Sequence, residues 1–178
     1  MKMQNTPGHR NPPTRFVCRL AQAADLDAIH AIQEEAYPPM MQEPLDVIHR
    51  RLAVAHDTCW IALDDAGPCG YLFAYPSTRG AITSLGGDFV ISTDADTLYL
   101  HDLAVSRRMA GQGVSVALCR LAMEAAVMRK LRYLALVAVK GARGYWARLG
   151  FEPGEPGAQC VDVLQAYPEG ALYMSRRI

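Results

Sequence analysis

The sequence predicts an α/β domain, a mixed sheet with helices on both faces. Three observations carry this reading. Leu98-Tyr-Leu-His-Asp-Leu-Ala-Val105 is strand-like and runs into Ser-Arg-Arg-Met-Ala-Gly-Gln-Gly-Val-Ser115, a glycine turn that opens a helix. Val114, Leu118, Leu121, Ala125 and Met128 then recur at helical spacing, with Arg120 and Glu124 on the other side. Tyr133 to Val139 is a nearly continuous apolar run, as expected of a strand covered on both faces.

The remaining elements follow in chain order. Met1 to Thr14 is Pro-rich and polar, without the apolar centre of a signal peptide, and reads as a loose tail before a single domain spanning residues 15–178. Phe16 to Leu20 reads as a short strand and Asp25 to Tyr37 as a helix with Leu26, Ile29 and Ile32 on one face. The prolines of Tyr37-Pro-Pro-Met-Met-Gln-Glu-Pro44 forbid regular helix, and a second helix follows over Leu45 to Val54. Trp60 to Leu63 and Gly70 to Tyr75 form a hairpin across Asp-Asp-Ala-Gly-Pro. Pro76 to Asp96 is a long Gly/Ser/Thr/Asp-rich connection, a length usually tied to function. A short helix over Ala142 to Leu149 stops at Gly150, and Gln159 to Leu164 and Ala171 to Arg176 are expected as two closing strands.

Composition narrows the function. The 178 residues are 51% hydrophobic, and 18 basic residues balance 18 acidic ones, so no global field favours nucleic acid. No run reaches the roughly 20 apolar residues of a membrane span. The five cysteines, at 18, 59, 69, 119 and 160, are odd in number and lack CxxC spacing. They argue against a disulfide framework and a metal site, and for a reducing, cytoplasmic setting.

The glycine turn suits a phosphate. The first turn of a helix leaves N–H groups unpaired, and the macrodipole favours an anion there. Gly111 and Gly113 remove side chains that would block its approach, and Arg107 or Arg108 can supply a cation. A Gly-x-Gly between a strand and a helix is also often a mere tight connection. Strand alternation puts Tyr99, His101, Leu103 and Val105 on one face and Asp102 on the other. Asp102 therefore carries no catalytic assignment.

Together with Ala142-Arg-Gly-Tyr-Trp-Ala-Arg-Leu-Gly-Phe151, this strand and turn resemble the signature of the GNAT acetyltransferases, which bind acetyl-CoA. That family's Gln/Arg-x-x-Gly-x-Gly/Ala pattern, placed by its distance from Val105, falls on Ala110, Gly113 and Ser115. The register Arg108-x-x-Gly111-x-Gly113 fits the letters but sits earlier. Tyr145-Trp146 followed by Gly150-Phe151 matches the family's aromatic pair and Gly-Phe. Over about residues 16 to 175 the chain looks most like the arylalkylamine N-acetyltransferases, through Ile32 to Leu45, Leu98 to Val105 and Tyr145 to Phe151.

The resemblance implies a GNAT fold, a mixed and mainly antiparallel sheet of about six to seven strands with helices on both faces, and acetyl transfer from acetyl-CoA to a primary amine by direct attack. A splay between Leu98–Val105 and Tyr133–Val139 would admit the pantetheine arm along Leu103, Ala104 and Val105. The turn and helix start, Gly111, Gln112, Gly113, Val114, Ser115 and Val116, would hold the pyrophosphate with Arg108, and Trp146 would flank the arm. Of two histidines in the arylalkylamine enzymes only His101 is kept. It would take the proton of an ammonium of pKa about 10, titrating near ~6.5 itself, with Tyr99 holding a water in the relay. The family's thiolate acid is a tyrosine at the position of Trp146, whose indole cannot serve; Tyr145 is one residue off and faces about 100° away. Tyr37, Pro44, Leu103 and Val137 would wall the substrate, a small amine with an apolar or aromatic body. No metal, nucleic acid or membrane partner is implied, and a homodimer stays open. An acyl-CoA sensor without turnover and a protein N-acetyltransferase are the alternative functions.

Overall fold

The computed structural model describes residues 15–139 and 141–178; the tail read over Met1 to Thr14 lies outside them. The chain runs β1 (Phe16–Leu20), α1 (Leu26–Ala36), α2 (Leu45–Val54), β2 (Cys59–Asp64), β3 (Gly67–Ser77), β4 (Thr97–Val105), α3 (Val114–Met128), β5 (Tyr133–Ala138), α4 (Arg143–Arg148), β6 (Glu152–Pro153), α5 (Val161–Gln165) and β7 (Leu172–Arg177). The strands form one seven-stranded sheet in the order β1-β2-β3-β4-β5-β7-β6. Every pairing is antiparallel except β4 with β5. Among the described residues no helix is long and apolar enough to cross a membrane.

Two cores lie on the two faces. On one, α3 sets Leu118, Ala122 and Ala125 against Leu98, Leu100, Leu134 and Leu136, with Trp146 and Phe151 at the side. On the other, Ile29 and Ile32 of α1 and Ile48 and Leu52 of α2 cover Tyr71, Phe73, Tyr75 and Tyr99. The helix over Asp25 to Tyr37 begins slightly later than expected. Asp25 instead accepts the Gln22 N–H at 2.8 Å in a preceding 3-10 turn, and Arg19 grips its carboxylate at 2.7 and 2.8 Å.

One expected strand is a helix. Residues Gln159 to Leu164 fall in a 3-10 turn and α5. The apolar side chains that pack inward there, Cys160, Val163, Leu164 and Tyr167, recur every three or four residues, which only a helix can turn to one side. The segment is pinned under the β3–β4 connection by Gly157 N–H to Gly80 C=O at 2.9 Å.

Two irregularities of β4 shape the site. Its register with β3 passes from Ala74↔Leu100 to Phe73↔Asp102, leaving His101 without a partner across the ladder. This is a β-bulge, and it reverses the alternation beyond it. Tyr99, Asp102 and Ala104 therefore turn toward α1 and α2, while Leu103 and Val105 turn toward α3. The expected common face of Tyr99, His101, Leu103 and Val105 does not exist. The second irregularity is with β5. Pairing covers only Thr97↔Tyr133, Leu98↔Leu134 and Tyr99↔Ala135, after which the strands part, as the family resemblance implied.

Candidate active site

A cavity of about 310 Å³ occupies the gap between the parted strands. Leu100, His101, Leu103 and Val105 of β4 line one wall and Leu136, Val137 and Val139 the other. Its lining runs from Ser115, Tyr145 and Trp146 near the start of α3 to Tyr37, Glu43, Asp102 and Tyr167.

The α3 end is built by the glycine turn. Gly111 has φ 74° and Gly113 φ 85°, the left-handed region that favours glycine. A Cβ on either would meet nothing within 4 Å, so the surface above the turn is open. Val114 is buried in the core and anchors the helix start, whereas Gln112 and Val116 are exposed. α3 begins at Val114, which puts Ser115 in its first turn as the spacing from Val105 required. Arg108 does not supply a cation to this turn. Its guanidinium pairs with Asp64 and bonds the carbonyls of Gly67 and Pro68 at 3.2 and 2.9 Å. Arg107 is likewise tied to Glu35, through its N–H at 2.6 Å and its side chain at 3.1 Å. Both residues were free in the sequence because their partners lie far away along the chain.

α4 sets its aromatic pair into the same cavity. Trp146 is buried edge-on between Tyr145 and Phe151, with ring centres 5.0 and 5.4 Å away. The Tyr145 hydroxyl is buried beside Ser115 and Cys119 and forms no well-aligned hydrogen bond among the described residues. Burial raises its pKa, so it stays a protonated donor at neutral pH. Tyr145 thus reaches the cavity despite its offset on the helix.

The other end holds a buried ionic cluster that sequence reasoning missed. Glu43 lies in the proline-bearing loop, where the Gln33 side chain clasps its backbone, donating to its C=O at 3.1 Å and accepting its N–H at 2.9 Å. Both carboxylate oxygens meet the Arg51 guanidinium, and Oε1 also accepts the Gly86 N–H at 2.9 Å. Arg51 is buried on α2, donates to the Gly87 carbonyl at 2.9 and 2.6 Å, and lies 4.9 Å over the Phe89 ring. The β3–β4 connection is therefore fastened down over this end. The sequence carried a faint signal, a carboxylate in a short apolar loop, but nothing that paired it with Arg51.

His101 Nε2 stands 3.5 Å from Glu43 Oε1, and its side chain is only 3% exposed. Nδ1 is buried without a partner among the described residues. Burial, reinforced by the Arg51 guanidinium, pushes the imidazole down to about 3, so it is neutral throughout the physiological range. The expected titration near 6.5 is overturned by desolvation. Tyr99 does not line the cavity; it is buried behind His101, with ring centres 6.1 Å apart, and packs edge-on to Tyr75. Its phenol is held well above 10 by burial.

The expected substrate walls divide. Tyr37, Leu103 and Val137 line the cavity, and the Tyr37 hydroxyl donates to the Leu103 carbonyl at 2.8 Å. Pro44 is exposed and outside it. Its carbonyl accepts the Val47 and Ile48 N–H groups, so it starts α2 instead. Ala104 faces the α1 side, away from the cavity. Asp102 does line the cavity, against expectation, because the bulge reverses its direction.

Solved structures repeat this architecture. A GNAT-like decarboxylase, GphF, in complex with isobutyryl-CoA superposes with a TM-score of 0.73 at 17% identity, over 90% of this chain and 98% of that one. A putative phosphinothricin N-acetyltransferase gives 0.66 at 16% over 92% and 99%. Arabidopsis thaliana Naa50, in complex with the bisubstrate analogue CoA-Ac-MVNAL, gives 0.65 at 12% over 92% and 99%. At such identities these likenesses establish the fold. A search of curated proteins finds no match. A sequence model of the Acetyltransferase (GNAT) family matches residues 26–151, a span that runs from α1 to the Gly-Phe after α4. The chain belongs to the GNAT acetyltransferase family, with acetyl-CoA as its co-substrate.

Proposed function

We propose that this chain acetylates the primary amine of a small molecule by direct attack on acetyl-CoA. The observation that carries the reading is the cavity between β4 and β5, which joins an open glycine turn to a buried histidine–carboxylate pair under a fastened cover. Acetyl-CoA supplies the activated acyl group. The residues present fit it: Gly111 and Gly113 leave a helix start uncovered, and β4 beyond Tyr99 has an edge without a strand partner.

Glu43 Oε1, 3.5 Å from His101 Nε2, favours the tautomer with the proton on that nitrogen, which leaves Nδ1 as the acceptor for an amine proton. The carboxylate then favours the imidazolium as it forms, although the resting imidazole is neutral. The Tyr145 hydroxyl donates to the departing sulfur, the role Trp146 cannot fill. A small acceptor is supported by the β3–β4 connection, which Glu43 and Arg51 hold across the acceptor end. The likeness to arylalkylamine enzymes rests on Ile32 to Leu45, on Leu98 to Val105 with His101, and on Tyr145 to Phe151. A decarboxylase reading, suggested by one neighbour, is disfavoured. Its substrate would bring a carboxylate to a cavity already lined by Asp102.

The test is CoA release from acetyl-CoA over a panel of arylalkylamines, polyamines and amino acids. At least one amine should turn over, and His101→Gln should lower its kcat/KM by about 10²-fold while acetyl-CoA affinity stays constant. Binding of acetyl-CoA with no turnover on any amine, and none on peptide N-termini, would establish the sensor reading instead.

A further inference from the structure

The bulge in β4 brings a carboxylate into the cavity that forms no direct ion pair with a described lysine or arginine. Asp102 Oδ2 accepts the Tyr71 hydroxyl at 2.6 Å, and the Tyr37 hydroxyl, which donates to the Leu103 carbonyl at 2.8 Å, lies beside the same carboxylate. A phenol satisfies a lone pair but does not neutralise charge. The cluster's guanidinium, on Arg51, is taken up by both oxygens of Glu43 and by the Gly87 carbonyl. His101 beside it is neutral. The rest of the wall is largely apolar, with Leu85, Leu100, Leu103, Leu136 and Val137. A carboxylate set against apolar surface is costly unless a cation meets it. Independently, the neighbouring His101, nine-tenths buried and also lining the cavity, has an Nδ1 with no partner. Two adjacent residues thus offer acceptors, and the described residues that line the cavity include no lysine or arginine to meet an anion.

We propose that Asp102 is the anchor for the ammonium group of the acceptor substrate, which makes the cavity selective for cationic amines that carry no carboxylate beside the nitrogen. The inference deepens the acetyl-transfer reading and rests on it. Asp102 holds the charged head while the apolar walls take the body. Neutral alcohols of the same shape lack the charge. Amino acids bring a second carboxylate to the wall that already bears Asp102.

The experiment measures binding by calorimetry to the full chain saturated with CoA, where no acetyl group can move. The probes are 2-phenylethylamine, 2-phenylethanol and phenylalanine, together with butylamine, butanol and norleucine. At least one amine should bind about tenfold or more tightly than its alcohol, and the amino acids should bind more weakly still. Asp102→Asn keeps an acceptor for Tyr71. It should weaken that amine about 30-fold, the loss of one charge-assisted hydrogen bond, without changing alcohol binding, CoA affinity or melting temperature. In turnover it should raise the amine's KM far more than it lowers kcat. Equal binding of every amine and its alcohol by the wild type, or amine affinity within twofold in Asp102→Asn, overturns the anchor. An amine that binds through Asp102 but is never acetylated overturns the acetyl-transfer reading and leaves the anchor standing. An amine acetylated with the same KM by both proteins does the reverse.

Discussion

At the scale of single residues, the chemistry of α4 separates two aromatics that sit side by side. Trp146 contributes a buried plate against Phe151, and Tyr145 contributes the hydroxyl. Indole N–H does not give up its proton usefully, whereas a phenol kept protonated by burial can. Trp146→Phe should retain kcat within a few-fold. Tyr145→Phe should lower it by about 10²-fold, the low end for acid catalysis with a good leaving group. Thiol release followed spectroscopically reads both, and a Trp146→Phe loss that exceeds the Tyr145→Phe loss would remove Tyr145 from the mechanism.

At the scale of elements, the site depends on two interruptions of regular structure. The bulge at His101 turns Asp102 inward, and the left-handed glycines before α3 open its first turn. Gly113→Glu would introduce both strain at φ 85° and an anion where a pyrophosphate should lie. Gly113→Asn adopts the left-handed region more readily and carries no charge. Acetyl-CoA affinity, measured by calorimetry, should fall at least about 100-fold in the first and about threefold or less in the second. Equal affinity in Gly113→Glu and the wild type would show that the turn holds no phosphate.

At the scale of the whole molecule, the buried cluster ties function to acid stability. His101 binds a proton near 6.5 when unfolded and near about 3 when folded. Between those values the unfolded chain holds more protons, so stability falls as the pH drops through this window. From pH 7 to pH 5 the loss from this group is on the order of 2 kcal/mol. Urea unfolding should show that increment in the wild type and not in His101→Gln. Parallel pH profiles for the two proteins would place the folded imidazole near its ordinary value.

What the sequence determined by itself is what neighbouring residues dictate. The apolar period from Val114 to Met128 makes a helix, and the glycines before it leave a turn free of side chains that the structure then folds into the left-handed region. The parting of β4 and β5 and the place of Trp146 beside the cavity were implied by the family resemblance that the glycine turn and the Tyr145 to Phe151 segment carry. The tertiary structure decided the rest. Gln159 to Leu164 could alternate as a strand in isolation and became helical because Cys160, Val163 and Leu164 must pack on one side. Asp102 faced away until a bulge against β3 reversed it. Arg108 looked free until folding brought it to Asp64, and His101 looked ready to titrate until Glu43, Arg51 and Phe89 closed around it. Those partners are scattered along the chain, and the burial that neutralises the imidazole exists only once the chain has brought them together.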